Sequence, residues 1–486
     1  MPQTQEVKAS LGCGTLILIA IIEEAPMRLL RTFLALASGL LPLASGAERP
    51  SAGDTKGRPN ILFLLVDDLR HDTFGFAGHD ICRTPNIDAL AKESHVFENA
   101  FVTTAICMVS RASIFAGQYE ARHKIHDFRT EFTEEAWKQT YPRLLKDAGY
   151  HTGFIGKFGV GNKIVEARKT FDFWRGFAGQ GRFYDPKRKD NQHLTALQGD
   201  QSLEFLRTAP ADKPWCLSVS FKAVHCQDGA KRQFPPDERD EKLYADITLP
   251  PAPLSDEKFF NALHEPLKTS ESRKRWQVRF SPELFQETVK DYYRLLNSVD
   301  RELGRMRAEL AKLGFDQNTV IIFTSDHGFY LGERGLAGKW FAHEESIRIP
   351  LVIHDPRATE KRTRPLTELV LNIDFAPTIL SFAALPAPAS MQGRNLRPLL
   401  KSFGQDWRTD FFYEHHFIPN RIPESEAVRT QRWKYIHWLA PKPGVEELYD
   451  LADDPREIKN LVNDPAHQET LENMRARRKE LREAAR

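Results

Sequence analysis

Asn60-Ile61-Leu62-Phe63-Leu64-Leu65-Val66-Asp67-Asp68 is the stretch that decides the fold. Ile61–Val66 is apolar without alternation, so a strand built from it has no face to give to water. A strand of a parallel sheet covered by helices on both sides reads this way. Such sheets bind ligands beyond the carboxyl ends of their strands, and Asp67 and Asp68 stand at that point. Val320-Ile-Ile-Phe-Thr-Ser-Asp326-His327-Gly328 repeats the pattern, a buried run ending in polar groups.

Working outward, His151–Ile155 reads as a strand delivering Gly156-Lys157, Trp215–Phe221 as one that points His225 to the same edge, and Ile349–Ile353 as a further strand. Helical signals fall between them. Thr84-Pro85 suits a helix start, Tyr141–Ala148 is closed by Gly149, and Ser281–Leu313 keeps Val289, Tyr292, Leu296, Val299, Leu303, Met306 and Leu310 on one face. The alternation predicts an α/β fold, a large and mostly parallel sheet sandwiched by helices. Near residue 405 the pattern changes. Thr430–Trp438 and Glu447-Leu-Tyr-Asp-Leu read as short antiparallel strands and Gln468–Ala485 as a terminal helix. The expected division is therefore a main domain over 58–405 and a smaller C-terminal antiparallel-sheet-plus-helix subdomain over 406–486. Two segments lack a clear period. The aromatic, glycine-rich 170–186 is expected to be a pocket-lining loop, and the proline-rich, charged 226–280 a surface excursion near the site.

The first 47 residues do not read as fold. Met27-Arg-Leu-Leu-Arg, the apolar Thr32–Leu43 and Ala44-Ser-Gly-Ala47 have the three regions of a signal peptide. Met27 is then the candidate true start, and export is the expectation. The rival reading, a membrane anchor, is weaker because the first run is short and the second carries Ser, Gly and Pro. No stable membrane insertion is expected. A net charge of +2 gives no case for nucleic acid. Of five cysteines, Cys13 belongs to the leader. Cys82, Cys216 and Cys226 form no metal-site spacing and allow at most one disulfide.

Three carboxylates, Asp67, Asp68 and Asp326, at neighbouring strand ends would repel one another strongly unless a cation joins them. Oxygen-rich ligation favours Ca²⁺ or Mg²⁺ over zinc, with His327 an unusual fourth donor for calcium. The bland alternative is that Asp67-Asp68 caps a turn. Between the two acidic stretches lies Ala105-Ile-Cys107-Met-Val-Ser110-Arg111-Ala-Ser-Ile-Phe-Ala-Gly117-Gln. A lone cysteine beside an arginine is more often a small core residue than a reactive one.

Taken together, the three stretches resemble the type I sulfatases of the alkaline phosphatase superfamily. The resemblance runs from about Arg58 to Asn463. It includes the T-P-N-x-D-x-L-A stretch at Thr84 and the E-L-Y-D-L-x-x-D-P-x-E stretch at Glu447. It implies that Cys107, in C-x-x-S-R, is converted by a formylglycine-generating enzyme to 3-oxoalanine (formylglycine), whose hydrate is the nucleophile. It implies a metal site of Asp67, Asp68, Cys107, Asp326 and His327. Arg111, Lys157 and Lys339 would hold the hydrate and sulfate oxygens, and His225 would protonate the leaving oxygen. Within the family, 170–186 and the Gly338-Lys339-Trp340 stretch look most like the carbohydrate-sulfatase branches, so a sulfated saccharide is the implied partner. Val109 stands where the family has Pro or Ala, Ala116 where it has Thr, and Gly159 where it commonly has His, so another base must serve. Two other readings stay open: a phosphomono- or diesterase on the same scaffold, and a catalytically dead protein that binds sulfated glycans. The leader reading is checked by amino-terminal sequencing of secreted material, which should begin near Glu48; a retained Met27 would contradict it.

Overall fold

The computed structural model describes residues 57–188, 190–358, 365–401, 406–440 and 442–486. The expected leader, 1–47, lies outside them. Eight strands form one sheet: β1 (Asn60–Val66), β2 (His95–Phe101), β3 (His151–Lys157), β4 (Phe173–Phe177), β5 (Trp215–Ser220), β6 (Thr319–Ser325), β7 (Arg348–His354) and β8 (Val370–Leu371). Their spatial order is β8-β2-β7-β6-β1-β5-β3-β4. Only β7 runs against its neighbours, pairing antiparallel with both β2 and β6. β1 sits between β5 and β6, parallel to both.

Alternate residues of β1 explain the sandwich. Ile61, Phe63 and Leu65 enter one apolar cluster, with Val109 of α2 (Cys107–Ala116), Leu145 of α3 (Tyr141–Asp147) and Ile379 of α7 (Phe375–Phe382). Leu62, Leu64 and Val66 enter the other. There they meet Ile87 of α1 (Pro85–Lys92), Leu203 of α4 (Leu194–Thr208) and Leu296 of α6 (Pro282–Lys312). Both faces of β1 are fully buried, as its apolar run requires. The expected α/β architecture is the one observed.

A second, antiparallel sheet follows, β9 (Asp410–His415), β10 (Ser425–Thr430), β11 (Trp433–Trp438) and β12 (Val445–Asp450), in that order. The helix α8 (Gln468–Ala485) lies on it through Leu471 and Met474, which pack with Val428, Tyr435 and Leu448. The opposite-facing Phe411, Tyr413, Ala427, Ile436 and Trp438 join the cluster of the main sheet. Sequence reading finds β11 and β12 but not β9 and β10, whose polar and apolar residues do not alternate cleanly.

The unclear segments resolve differently. Residues 170–186 are not chiefly a pocket wall. Phe173–Phe177 is the edge strand β4, Phe171 and Trp174 pack on Phe154, and Phe183 is fully buried. Their aromatic content is core content. The 226–280 excursion holds three short helices, of which α5 (Glu271–Gln277) reaches the cleft above the strand ends. Among the described residues no helix is long and apolar enough to cross a membrane. Cys82, Cys107, Cys216 and Cys226 are all buried and unpaired.

The long helix α6 also supports the turn that follows β1. The Tyr292 hydroxyl donates to the Asp68 carbonyl at 2.8 Å and accepts from the Arg70 amide at 3.1 Å, all of it buried. Tyr292→Phe would leave a buried carbonyl and a buried N–H without this partner, a loss of about 1–3 kcal/mol. Urea unfolding should show it as a lower midpoint with an unchanged slope; an unaltered midpoint would mean the turn does not depend on Tyr292.

Candidate active site

The strand ends set the site. Asp68 adopts a left-handed conformation (φ 61°), which an aspartate tolerates better than most residues. Its amide donates to Asp326 Oδ1 at 3.2 Å, tying the end of β1 to the end of β6. Val66 O accepts from both the Asp326 amide and the Ser325 hydroxyl. Asp67, Asp68 and Asp326 are each fully buried, so their charges must be met by the protein or by a ligand.

Three cations meet them. Arg111 donates through Nε to Asp326 Oδ2 at 2.9 Å, and its NH2 lies 3.3 Å from Asp67 Oδ2. Lys157 Nζ donates to Asp67 Oδ2 at 2.5 Å, and Lys339 Nζ to Asp68 Oδ1 at 2.5 Å. Burial opposes ionisation of Asp67, but Lys157, His225, Arg111 and Lys339 outweigh it and hold its carboxyl well below the usual range. Burial, with the charge of Asp67, instead pushes Asp326 up. Burial also works against a charge on His327, yet Asp326 beside it prevails and carries the imidazole up to about 9. His225 is driven the other way, by burial and by Lys339.

Cys107 stands at the centre. It is the first residue of α2, so its thiol lies at the positive end of a helix. Sγ is 3.4 Å from Asp67 Oδ1, 3.4 Å from His327 Nε2 and 3.6 Å from Lys339 Nζ. His225 Nε2 is 3.7 Å from Asp68 Oδ2, while its Nδ1 is bound at 2.6 Å to the Cys226 carbonyl. All nine residues picked from sequence therefore fall in one buried cluster.

Four further residues enter it that sequence reading missed. Gln180 Oε1 accepts from Lys157 Nζ at 2.6 Å, a polar contact of the 170–186 segment with this centre. Ser220 accepts from Arg111 NH1. Asn372 donates to the Ser110 hydroxyl at 2.9 Å, and that hydroxyl in turn donates to the Asp326 carbonyl. Lys222 is fully buried and donates to Cys226 O, the carbonyl that also holds His225; burial pulls its ammonium down to about 8. Only Lys222, three residues before His225, carried a signal that could have been read.

The carboxylates Asp67, Asp68 and Asp326 are donors of the kind a hard divalent cation takes. Asp67, Cys107, Asp326 and His327 bring one donor atom each within 4.8 Å of one another, as do Asp67, Asp68, Cys107 and His225. Asp68 Oδ2 is buried and accepts no hydrogen bond, an orphaned acceptor of the kind an ion satisfies. A cleft of about 150 Å³ opens above this floor, lined by Cys107, Gln180, His225 and Lys339 and higher up by Phe128, Arg275, Phe417 and Arg421.

A sulfatase family model matches residues 59–385, and a model of the N-sulphoglucosamine sulphohydrolase C-terminal region matches 332–484. The chain is 30% identical to an N-acetylglucosamine-6-O-sulfatase of Bacteroides thetaiotaomicron, over 87% of this chain and 86% of that protein. A protein solved in complex with its substrate D-glucosamine-2-N,6-O-disulfate superposes with a TM-score of 0.77 at 27% identity, covering 88% and 98% of the two chains. A phosphonate monoester hydrolase of Agrobacterium radiobacter shares the fold, with a TM-score of 0.73 at 22% identity over 88% and 96%. The chain belongs to the type I sulfatase family. It is a sulfuric ester hydrolase.

Gly159, where a histidine is common in the family, has a structural reason to be glycine. Its φ is +81°, and a Cβ there would lie 2.5 Å from Cδ of Arg111. A side chain at 159 would displace Arg111 before it could serve as a base. Gly159→Ala and Gly159→His should each cost about 1–3 kcal/mol of stability and lower turnover together. Activity of Gly159→His at or above wild type would contradict this.

Proposed function

We propose that the protein removes O-sulfate groups from a sulfated carbohydrate, using a formylglycine made from Cys107 by a formylglycine-generating enzyme. The observation that carries this is the convergence of Asp67, His327 and Lys339 on the Cys107 sulfur. A core cysteine would not be ringed by ionised groups at such a cost in desolvation. A thiol cannot complete the reaction; the aldehyde hydrate supplies a nucleophile that can be regenerated after each turnover. Support for a sugar comes from the relatives, one named for N-acetylglucosamine 6-O-sulfate and one solved with a disulfated glucosamine.

Asp67, Asp68, Asp326 and His327, beside Cys107, would hold one Ca²⁺ or Mg²⁺. That ion would lower the pKa of the nucleophile and offset the charge of the sulfate. The chain's own residues divide the remaining work. Arg111 spans Asp67 and Asp326 and keeps both carboxylates aimed inward. Lys157 and Lys339 offer ammonium donors to the sulfate oxygens. His225 has Nδ1 committed to Cys226 O, so Nε2 is the nitrogen left to face the leaving oxygen; burial and Lys339 favour the neutral ring, so it would protonate that oxygen as the imidazolium that the bound sulfate's negative charge favours. The division at residue 405, and export with removal of 1–47, belong to the same proposal.

Paired aryl esters test the reaction. The matured enzyme should release sulfate at least tenfold faster than phosphate from the same aryl group, and chelation should abolish both. Calcium should raise the melting temperature of the wild type and leave that of Asp326→Ala where it was. Faster phosphate release, or full activity in verified metal-free buffer, would overturn the proposal.

A further inference from the structure

Above the reacting centre, one wall of the cleft is a chain of ion pairs. Glu271, on α5, accepts from Arg275 Nε at 3.0 Å through Oε1 and from Arg421 NH2 at 2.6 Å through Oε2. Arg275 NH1 lies 3.7 Å from Asp228 Oδ1, a carboxylate that also receives Arg279. Three guanidinium groups thus face two carboxylates, and one positive charge is left over.

That surplus has a definite place. Arg279 is 3% exposed and is held by Asp228 and Gln233. Arg275 is 22% exposed, lies between Glu271 and Asp228, and stacks its guanidinium 4.9 Å from the centre of the Trp340 ring. Arg421 is 55% exposed, and its one ion pair among the described residues is to Glu271. It lies on the cleft's rim, in the connection between β9 and β10. Ile418 in the same connection holds a left-handed φ of 48°, a conformation that a β-branched residue adopts only when its surroundings impose it. The backbone is fixed as well, since the Glu271 amide donates to Arg421 O at 2.9 Å.

We propose that Arg421, backed by Arg275, is a second anion subsite, which binds a further acidic group of the saccharide beside the sulfate that is cleaved. This rests on the reading of the site as one for sulfated carbohydrate. A guanidinium that spends one edge on Glu271 keeps its other N–H groups for an oxyanion. In a cleft of about 150 Å³, a second substituent on the bound sugar or its neighbour stays within reach of the rim. The ligand class is therefore a saccharide with two acidic groups, the second being either a sulfate or a uronate carboxylate.

Calorimetric titration of the calcium-loaded full chain, with Cys107 unconverted so that nothing turns over, reads this directly. Three probes suffice: N-acetylglucosamine 6-O-sulfate, glucosamine 2-N,6-O-disulfate, and a monosulfated disaccharide carrying a uronate. At least one diacidic probe should bind about tenfold more tightly than the monosulfated sugar, and which one gains separates sulfate from carboxylate. Arg421→Gln should bring that ratio to near unity, and Arg421→Lys should keep part of it. Equal binding of all three probes to the wild type would overturn the proposal. So would an advantage that survives Arg421→Gln, the result expected if the residue only ties α5 to the β9–β10 connection. Aryl sulfate turnover by the matured enzyme, measured alongside, tests the underlying reaction; its failure would leave the binding ratio readable.

Discussion

Three carboxylates buried at the ends of adjacent parallel strands are the constraint from which the rest of this molecule follows. Asp67, Asp68 and Asp326 are fully buried, and the strand pairing of β1 with β6 brings them together regardless of the electrostatic cost. The protein answers with Arg111, Lys157 and Lys339, delivered by α2, by the end of β3 and by the segment before β7. Each must be long enough to reach from its own element and buried enough for the pairing to hold. The result is a buried floor in which carboxylates and cations are paired, with a cleft lined in part by Cys107 above it.

That balance explains how the scaffold is shared out. The face of the sheet carrying α2 supplies the nucleophile position and Arg111, and Ser110 and Asn372 lock α2 to the end of β6. The opposite face supplies α6, whose Tyr292 fixes the turn after β1. Gly159 has no side chain because Arg111 occupies the space. Any side chain at 159 would compete with Arg111 for that space.

Much of this was legible in the sequence, for one physical reason. A strand buried on both faces must be apolar throughout, so the first acid after it marks where the strand ends and where a site can begin. Asp67 and Asp326 were readable on that ground, and Cys107, Arg111 and Lys157 through the family resemblance. What was not legible depends on contacts between distant segments. Gln180 and Asn372 are ordinary polar residues in sequence and acquire meaning only by reaching Lys157 and Ser110. The aromatic 170–186 stretch misled because a ring that lines a pocket and a ring that fills a core look alike before the chain is folded. The rim of the cleft was equally hidden, since Arg275 and Arg421 are separated by the whole of β6 and β7.

The central claim is that the ionised ring around Cys107 exists to serve a converted residue, and mass spectrometry of the tryptic peptide 93–111 tests it most directly. Purified from a host with the converting enzyme, that peptide should run at the mass of the aldehyde, and the converted fraction should track specific activity across preparations. An unmodified thiol in fully active protein would contradict the account.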